Sequence, residues 1–332
     1  MNIDLLKELC KKDGCAGYET EIGSFIKEKI APYVDSVYTD ALKNVIAIKK
    51  GKKENPKRVM LFSHMDRSGF IVTHIEENGN IRFSPVGSLD VSCTLYKRVC
   101  FSNGTLGIMI PDNASEKPSY ASLHLDIGAD SSKAAEKSVS VGDCFFLENE
   151  VDMLGGEKIT GALDGRIGAC LLLSTAMAID KNEDDLYFVF SSQKTVGNRG
   201  IKPIARDISP DIAICIDLSQ SNSTESKSKG SELGKGPALL IKDKSVICHE
   251  RLSSLISKKA NELGVTTQTE ISNFGSSELS VVQAAGEGVM VGGINIPAEN
   301  PNTCAEIISA NDIESAEKLL FSLACSDFSE IL

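Results

Sequence analysis

The sequence predicts an α/β protein in which a small β-rich domain interrupts a larger domain of helices and strands. Three observations carry this. Helical and strand-like patterns alternate in the first third of the chain and again in the last. From about Phe70 to Glu150 the texture changes to short alternating runs divided by Gly, Pro, Asn and Asp. The run Arg58–Ser63 is almost wholly apolar, as expected of a strand covered on both faces. The expected division is 1–68 together with 156–332 for the α/β domain, and 69–155 for the insert.

Taken in order, apolar residues recur at helical spacing from Leu5 to Tyr33 in two stretches divided by Gly14-Cys15-Ala16-Gly17, so two helices open the chain. Strands are expected at Ser36–Thr39, Asn44–Lys49 and Arg58–Ser63, with His64 at the end of the third. The insert should contain strands at Phe70–Ile75, Ile81–Phe83, Val99–Phe101, Leu106–Ile110 and Cys144–Leu147. After Gly161 come a helix Ile167–Ile179, strands Leu186–Ser191 and Ile212–Asp217, a helix Leu252–Leu263, a strand Val289–Ile294 and a closing helix Ala310–Ala324. The Ser-, Lys- and Asn-rich stretch Ser219–Ser231 reads as a loop.

A chain of 332 residues that is 42% hydrophobic buries a full core. Its net charge of −11 argues against a phosphate-binding surface, so nucleic acid is not an expected partner. The basic clusters Lys49–Lys53 and Lys227–Lys229 read as exposed loops. No apolar run approaches the roughly 20 residues that cross a bilayer, so no membrane partner is expected. The opening MNIDLLKELCKKDG reads as an amphipathic helix rather than a secretory signal, which places the expected location in the cytoplasm. Ten cysteines occur singly, with no Cys-x-x-Cys pair, and are expected to be reduced core side chains. With no Trp and 5% aromatic residues, the platforms of a glycoside hydrolase are lacking, and there is no Gly-x-Ser-x-Gly elbow.

In α/β sheets, functional groups gather at the carboxyl ends of strands. Three segments place His or Asp there. In Ser63-His64-Met65-Asp66 the Asp66 carboxylate is spaced to fix the His64 tautomer for metal ligation. Asp164 follows Gly161 at the start of a helix, and Asp217 ends an apolar run. One imidazole and two carboxylates make a divalent site suited to Zn, Mn or Co. Each residue also has a plainer reading: Asp164 as an N-cap, Asp217 as the start of a turn, His64 as a satisfied core histidine. His74, His124 and His249 read as structural or exposed.

The pattern extends beyond these three residues. Val59 to Phe70 contains His64-Met65-Asp66, and the insert holds Phe83-Ser84-Pro85-Val86-Gly87, Leu125 to Ala129 and Val141-Gly142-Asp143. Ala162-Leu163-Asp164-Gly165-Arg166-Ile167-Gly168, Tyr187 to Phe190 and Gln193 to Gly200 follow. Leu233 to Pro237, Ile296-Pro297 and Asn311 to Glu314 complete the set. These ordered segments resemble, essentially end to end, the glutamyl aminopeptidase and tetrahedral aminopeptidase family of co-catalytic metallopeptidases, whose members often carry the label endoglucanase.

The resemblance implies a three-layer α/β catalytic domain with an inserted β-barrel-like lid, action on short peptides, and homo-oligomers from dimer to dodecamer. It also implies a bridging Asp between two metal ions, with a His and an Asp on one ion, a Glu and a His on the other, and a further Glu as general base. Residue by residue, His64, Asp164 and Asp217 match one ion's ligands, Asp164 the bridge, and Asp66 the support behind His64. The departures are Lys194 at the general-base position and Thr195 and Asn302 at the second ion's own ligand positions. Gly165 replaces a second Asp, and Phe274-Gly275-Ser276-Ser277-Glu278 stands where Gly-Gly-Thr-Asp is usual. Carboxylates around Lys194 would raise its pKa and oppose a role as base. The expectation is therefore a homologue with impaired hydrolysis that binds peptides or serves in assembly, with at most one divalent ion. The alternative is an active aminopeptidase that uses one ion or a relocated carboxylate such as Glu278 or Glu299; a weaker one is an endoglucanase.

Overall fold

Successive side chains of a strand point to opposite faces, so a strand that is apolar at every position must be covered twice. In the strand Arg58–His64, Val59 and Leu61 face one way and Met60 and Phe62 the other, and none reaches solvent. The computed structural model, which describes residues 2–114, 117–221, 230–329 and 331, supplies both covers. Helices Ile3–Cys10, Thr20–Ile30, Ile167–Ala178, Glu250–Glu262 and Ala310–Ala324 share one core with Val59 and Leu61. Helices Ile201–Ile208 and Leu279–Gln283 share the other with Met60 and Phe62. The result is three layers, with the sheet in the middle.

Four parallel strands form the centre of that sheet, in the order Asp185–Ser191, Arg58–His64, Ile212–Gln220, Met290–Glu299. Val45–Lys49 and Ser36–Thr39 extend one side antiparallel, and Glu306–Ser309, Lys158–Gly161 and Asp152–Leu154 extend the other. Parallel pairing brings the carboxyl ends of the central strands to one edge, so His64, Ser191 and Asp217 emerge together. Helix Ile167–Ala178 lies very close beneath: a Cβ on Gly168 would run into the Ser63 hydroxyl.

Six strands close into a separate barrel in the order Gly69–Ile75, Ile81–Val86, Leu123–Asp126, Leu106–Pro111, Arg98–Phe101, Cys144–Leu147. Closure leaves no open edge to pair with another chain. Phe145 is the centre of its core, with ring centroids 5.2 Å from Phe70, 5.4 Å from Phe83 and 5.0 Å from Phe101. Buried arginines brace the joint with the α/β body. Arg166, fully buried, donates to the carbonyls of Leu9, Met65 and Lys12, which ties the first helix to the strand that carries His64. Arg67 stacks on Phe146 of the barrel at 3.9 Å from its ring centroid.

The strands and helices expected from periodicity are present with ends shifted by a few residues at most. The helix Ile201–Ile208 escaped sequence reading because Pro203 falls within it; in the first turn its missing N–H costs no helical bond. The strand Leu123–Asp126 is too short to announce itself. Of the expected loop Ser219–Ser231, residues 222–229, including Lys227–Lys229, lie outside the described residues. All ten cysteines are free thiols, six of them buried. Among the described residues no helix is long and apolar enough to cross a membrane.

Replacing Phe145 by Ala removes the ring that three others share. It should lower the unfolding free energy by about 3–5 kcal/mol in urea titration; a loss below about 1 kcal/mol would mean that the barrel core does not depend on it.

Candidate metal centre

His64 sits at the last position of its strand and is buried. Its Nδ1 lies 3.0 Å from the Asp66 carbonyl, an acceptor only, so Nδ1 is the protonated nitrogen and Nε2 faces the site. The Asp66 carboxylate is farther from the ring, 3.5 Å from Nδ1. It has other partners: the backbone N–H groups of Lys194 and Thr195 and the Thr195 hydroxyl all donate to it at 2.8–2.9 Å. The support expected behind His64 thus comes from the Asp66 main chain, while its side chain anchors the 194–195 segment.

Asp164 Oδ1 stands 3.1 Å and Asp217 Oδ1 3.4 Å from His64 Nε2. One ligand atom from each of the three residues lies within 4.8 Å of the others, so the triad matched by sequence forms a single cluster able to hold a metal ion. Asp164 is not an N-cap, since Arg166 occupies that position of the helix. Gly165 has φ +67, and a Cβ there would run into the Asp66 carbonyl and crowd the His64 ring. That close approach accounts for glycine at this position.

Lys194 enters the same cluster. Its Nζ is 3.2 Å from His64 Nε2, 3.4 Å from Asp217 Oδ2 and 4.0 Å from Asp164 Oδ1. The preceding Gln193 adopts φ 55, a conformation uncommon outside glycine, and its N–H donates to buried Glu19 at 2.9 Å. Burial opposes the charge on Lys194, but Asp164, Asp217, Glu278 and Asp66 outweigh it and raise its pKa. Burial likewise disfavours ionised Asp164 and Asp217, and the Lys194 and His64 charges overcome it, so both stay below the usual carboxylate range. For His64, burial and Lys194 oppose protonation while Asp164 and Asp217 favour it and prevail. The cluster is built to hold positive charge.

A single divalent ion fits this donor set, with one imidazole nitrogen and two carboxylates converging from three strand ends or turns. The two positions where the resemblance expects a second ion's own ligands hold Thr195 and Asn302. Thr195 spends its hydroxyl on Asp66, and Asn302 sits at φ 61 with its backbone N–H donating to Glu306. Asn tolerates this left-handed backbone better than most residues.

The cluster opens on a cavity of about 600 Å³ lined by Asp164, Lys194, Asp217, Glu270, Phe274 and Glu306, among others. Glu278, considered above as a relocated carboxylate, is not among the lining residues: it is buried, its two oxygens lie 2.7 and 2.8 Å from the Ser191 hydroxyl that donates to it, and burial lifts its pKa to about 7. Glu299 is elsewhere, half-exposed and 3.9 Å from Lys158. Besides Asp164 and Asp217, the carboxyl groups that line the cavity include two that sequence reasoning missed. Glu306 accepts from the N–H groups of Leu163, Asp164 and Asn302, and burial with the Asp164 charge lifts it to about 8. Glu270 accepts from Asn295 at 3.0 Å, and burial, with Asp217 nearby, raises its pKa. Neither stands in a segment that carried the resemblance, so no motif marked them. The other histidines lie outside the cluster: His74 is exposed and His124 pairs with Asp112 at 2.8 Å.

Known proteins can now be set beside this geometry. A family model described as M42 glutamyl aminopeptidase matches residues 43–319. A protein of Acetivibrio thermocellus, provisionally named an aminopeptidase, is 36% identical over 326 residues, 97% of this chain and 98% of its own. Among solved structures, an aminopeptidase from the archaeon Desulfurococcus kamchatkensis superimposes with a TM-score of 0.93 at 29% identity, covering 98% of this chain and 94% of that one. The TET1 peptidase of Pyrococcus horikoshii, described as able to assemble into a tetrahedron or a large octahedral shell, superimposes with a TM-score of 0.89 at 26% identity, over 98% and 99% of the two chains. The α/β architecture expected from sequence is the fold of these neighbours, and the chain belongs to the M42 glutamyl aminopeptidase family.

Proposed function

We propose that this protein is an aminopeptidase that removes N-terminal residues from short peptides with the help of one divalent ion, and that Lys194 occupies the ion's place when it is absent. The observation that carries the reading is the convergence of His64, Asp164 and Asp217, with both carboxylates lining a cavity, in a chain that belongs to an aminopeptidase family. When bound, such an ion would polarise the scissile carbonyl and acidify a water molecule. His64, oriented by the Asp66 carbonyl, would present Nε2 to it alongside the two carboxylates. Glu270, whose raised pKa brings it toward neutrality, opens on the same cavity and is placed to take up a proton. Carboxylates on the cavity wall favour the ammonium of a peptide N-terminus. The barrel is proposed as the lid and dimer-forming part of a homo-oligomer, and the exposed Leu106 and Ile108 on its surface support that role.

A second reading is favoured by Lys194 itself. An ammonium within 3.2–4.0 Å of all three ligands could be the permanent counter-ion of a peptide-binding protein that cleaves nothing. Metal content and peptide cleavage separate the two.

Purified protein loaded with Zn, Mn or Co should hold about one ion per chain and release free amino acids from a short-peptide library, whereas His64→Ala and Asp217→Ala should hold close to none and release none. Unchanged metal content in both variants would reject the triad; one ion with no release from any peptide would favour the second reading. Lys194→Met removes the competing charge and should tighten metal binding by roughly tenfold or more in calorimetry, a gain of at least 1.4 kcal/mol. Unaltered affinity would show that the ammonium does not compete. Glu270→Gln should keep its metal but lose on the order of a hundredfold in release rate and with it the acid limb of the pH profile; a profile identical to wild type would remove Glu270 from the reaction.

A further inference from the structure

The segment Phe274-Gly275-Ser276-Ser277-Glu278 departs from the family pattern beside the cavity, and Phe274 to Ser277 form part of its lining. Among the described residues the three most exposed large apolar side chains are Phe274, Ile247 and Ile271, at 79, 65 and 64%. They come from one corner of the fold. Ile271 ends the edge strand Gln268–Ile271, where it pairs with Lys242, and Ile247 bridges to the same Lys242. Phe274 follows Ile271 by one short turn of chain, and both line the cavity. An apolar residue exposed singly needs no explanation, but a group of them at the mouth of a cavity marks a binding surface.

The loop that carries Phe274 is braced. The Ser272 hydroxyl donates to the Phe274 carbonyl and accepts from its N–H, each at 3.0 Å. Lys242 Nζ donates to the Ser272 carbonyl at 3.3 Å and to Asn273 Oδ1 at 3.2 Å. Beyond Gly275, which takes φ +75, the N–H and hydroxyl of Ser277 donate to buried Asp243 at 2.9 and 2.7 Å. The ring is therefore presented to solvent on a backbone fixed at both ends, and little conformational freedom remains to be lost when something packs against it.

We propose that Phe274 and Ile271 form an apolar lip that selects peptides with an apolar side chain immediately after the scissile bond. The inference rests on the aminopeptidase reading, which sets the direction of entry. The N-terminal ammonium seeks the carboxylates of the cluster, whose side chains are 26 and 11% exposed in Asp164 and Asp217, so the chain enters amino end first and its later residues stay at the mouth. There the second side chain meets Phe274 and Ile271, and removing apolar surface from water against them favours Phe or Leu over Ser or Asp. The peptide is the occupant because the lip is continuous with the cavity that holds the cluster. A second copy of the chain is the competing occupant.

The test compares metal-loaded wild type, Phe274→Ser and Ile271→Ser on the tripeptide amides Ala-X-Ala and X-Ala-Ala, with X as Phe, Leu, Ser or Asp. Rates of amino-acid release give kcat/KM; where nothing is released, calorimetry gives Kd for the same peptides. Wild type should favour Phe and Leu over Ser at the second position by about tenfold. Each variant should shrink that ratio by about threefold or more, chiefly through KM, and leave the ranking within X-Ala-Ala unchanged. A ratio near one in wild type, or a ratio that survives in both variants, would overturn the lip. So would a shift of Phe274→Ser to smaller species in sedimentation with the ratio intact, which would make the patch an interface between copies. If wild type releases nothing yet binds with the expected ratio and loses it in the variants, the lip stands and the cleavage reading falls. Release without any ratio has the converse meaning.

Discussion

Asp66 is the joint on which the candidate site depends. Its carbonyl sets the protonated nitrogen of His64, and its carboxylate holds the backbone of Lys194 and Thr195. One buried residue therefore fixes both a candidate ligand and the cation that lies against it. The parallel pairing of Arg58–His64 with Asp185–Ser191 makes this possible, because it brings the two strand ends out side by side, with Ser191 opposite His64. A buried carboxylate is costly unless its lone pairs are filled. Here three donors fill them, and the strain at Gln193 is held in place by those bonds and by Glu19.

Much of this was legible in the sequence. The apolar run before His64 announced a strand covered on both faces, and a helix start, a strand end and the family resemblance led to Asp164 and Asp217. Even the intrusion of Lys194 between the two carboxylates could be anticipated from its place in the series. What could not be read were residues whose role arises from packing between distant segments. Glu306 matters because its carboxylate caps the backbone of 163–164, more than 140 positions away. Glu270 matters because the short strand Gln268–Ile271, which carries no strong periodicity, runs along the cavity. Gly165, which as sequence looked like a lost carboxylate, is explained by the left-handed backbone and the closeness of the Asp66 carbonyl.

The barrel and the α/β body also differ in how sequence announces them. The barrel core is aromatic, with Phe70, Phe83 and Phe101 each in contact with Phe145, and its strands alternate as a one-sided sheet must. The central strands of the body show no alternation, because neither face meets water. The change of pattern along the chain is therefore a change in the number of layers.

Lys194 has one more implication, for how the chain comes to its folded state. A cluster of buried carboxylates that waits for an ion is usually a fault line, since the empty form must bear their mutual repulsion and the ion becomes a condition of folding. This chain brings its own cation, tethered by the backbone bonds of Lys194 and Thr195 to Asp66 and carried on a flexible stem. On the proposed reading the chain would reach its final shape in a cell starved of metal, and supply of the ion would decide occupancy while leaving the architecture unaffected.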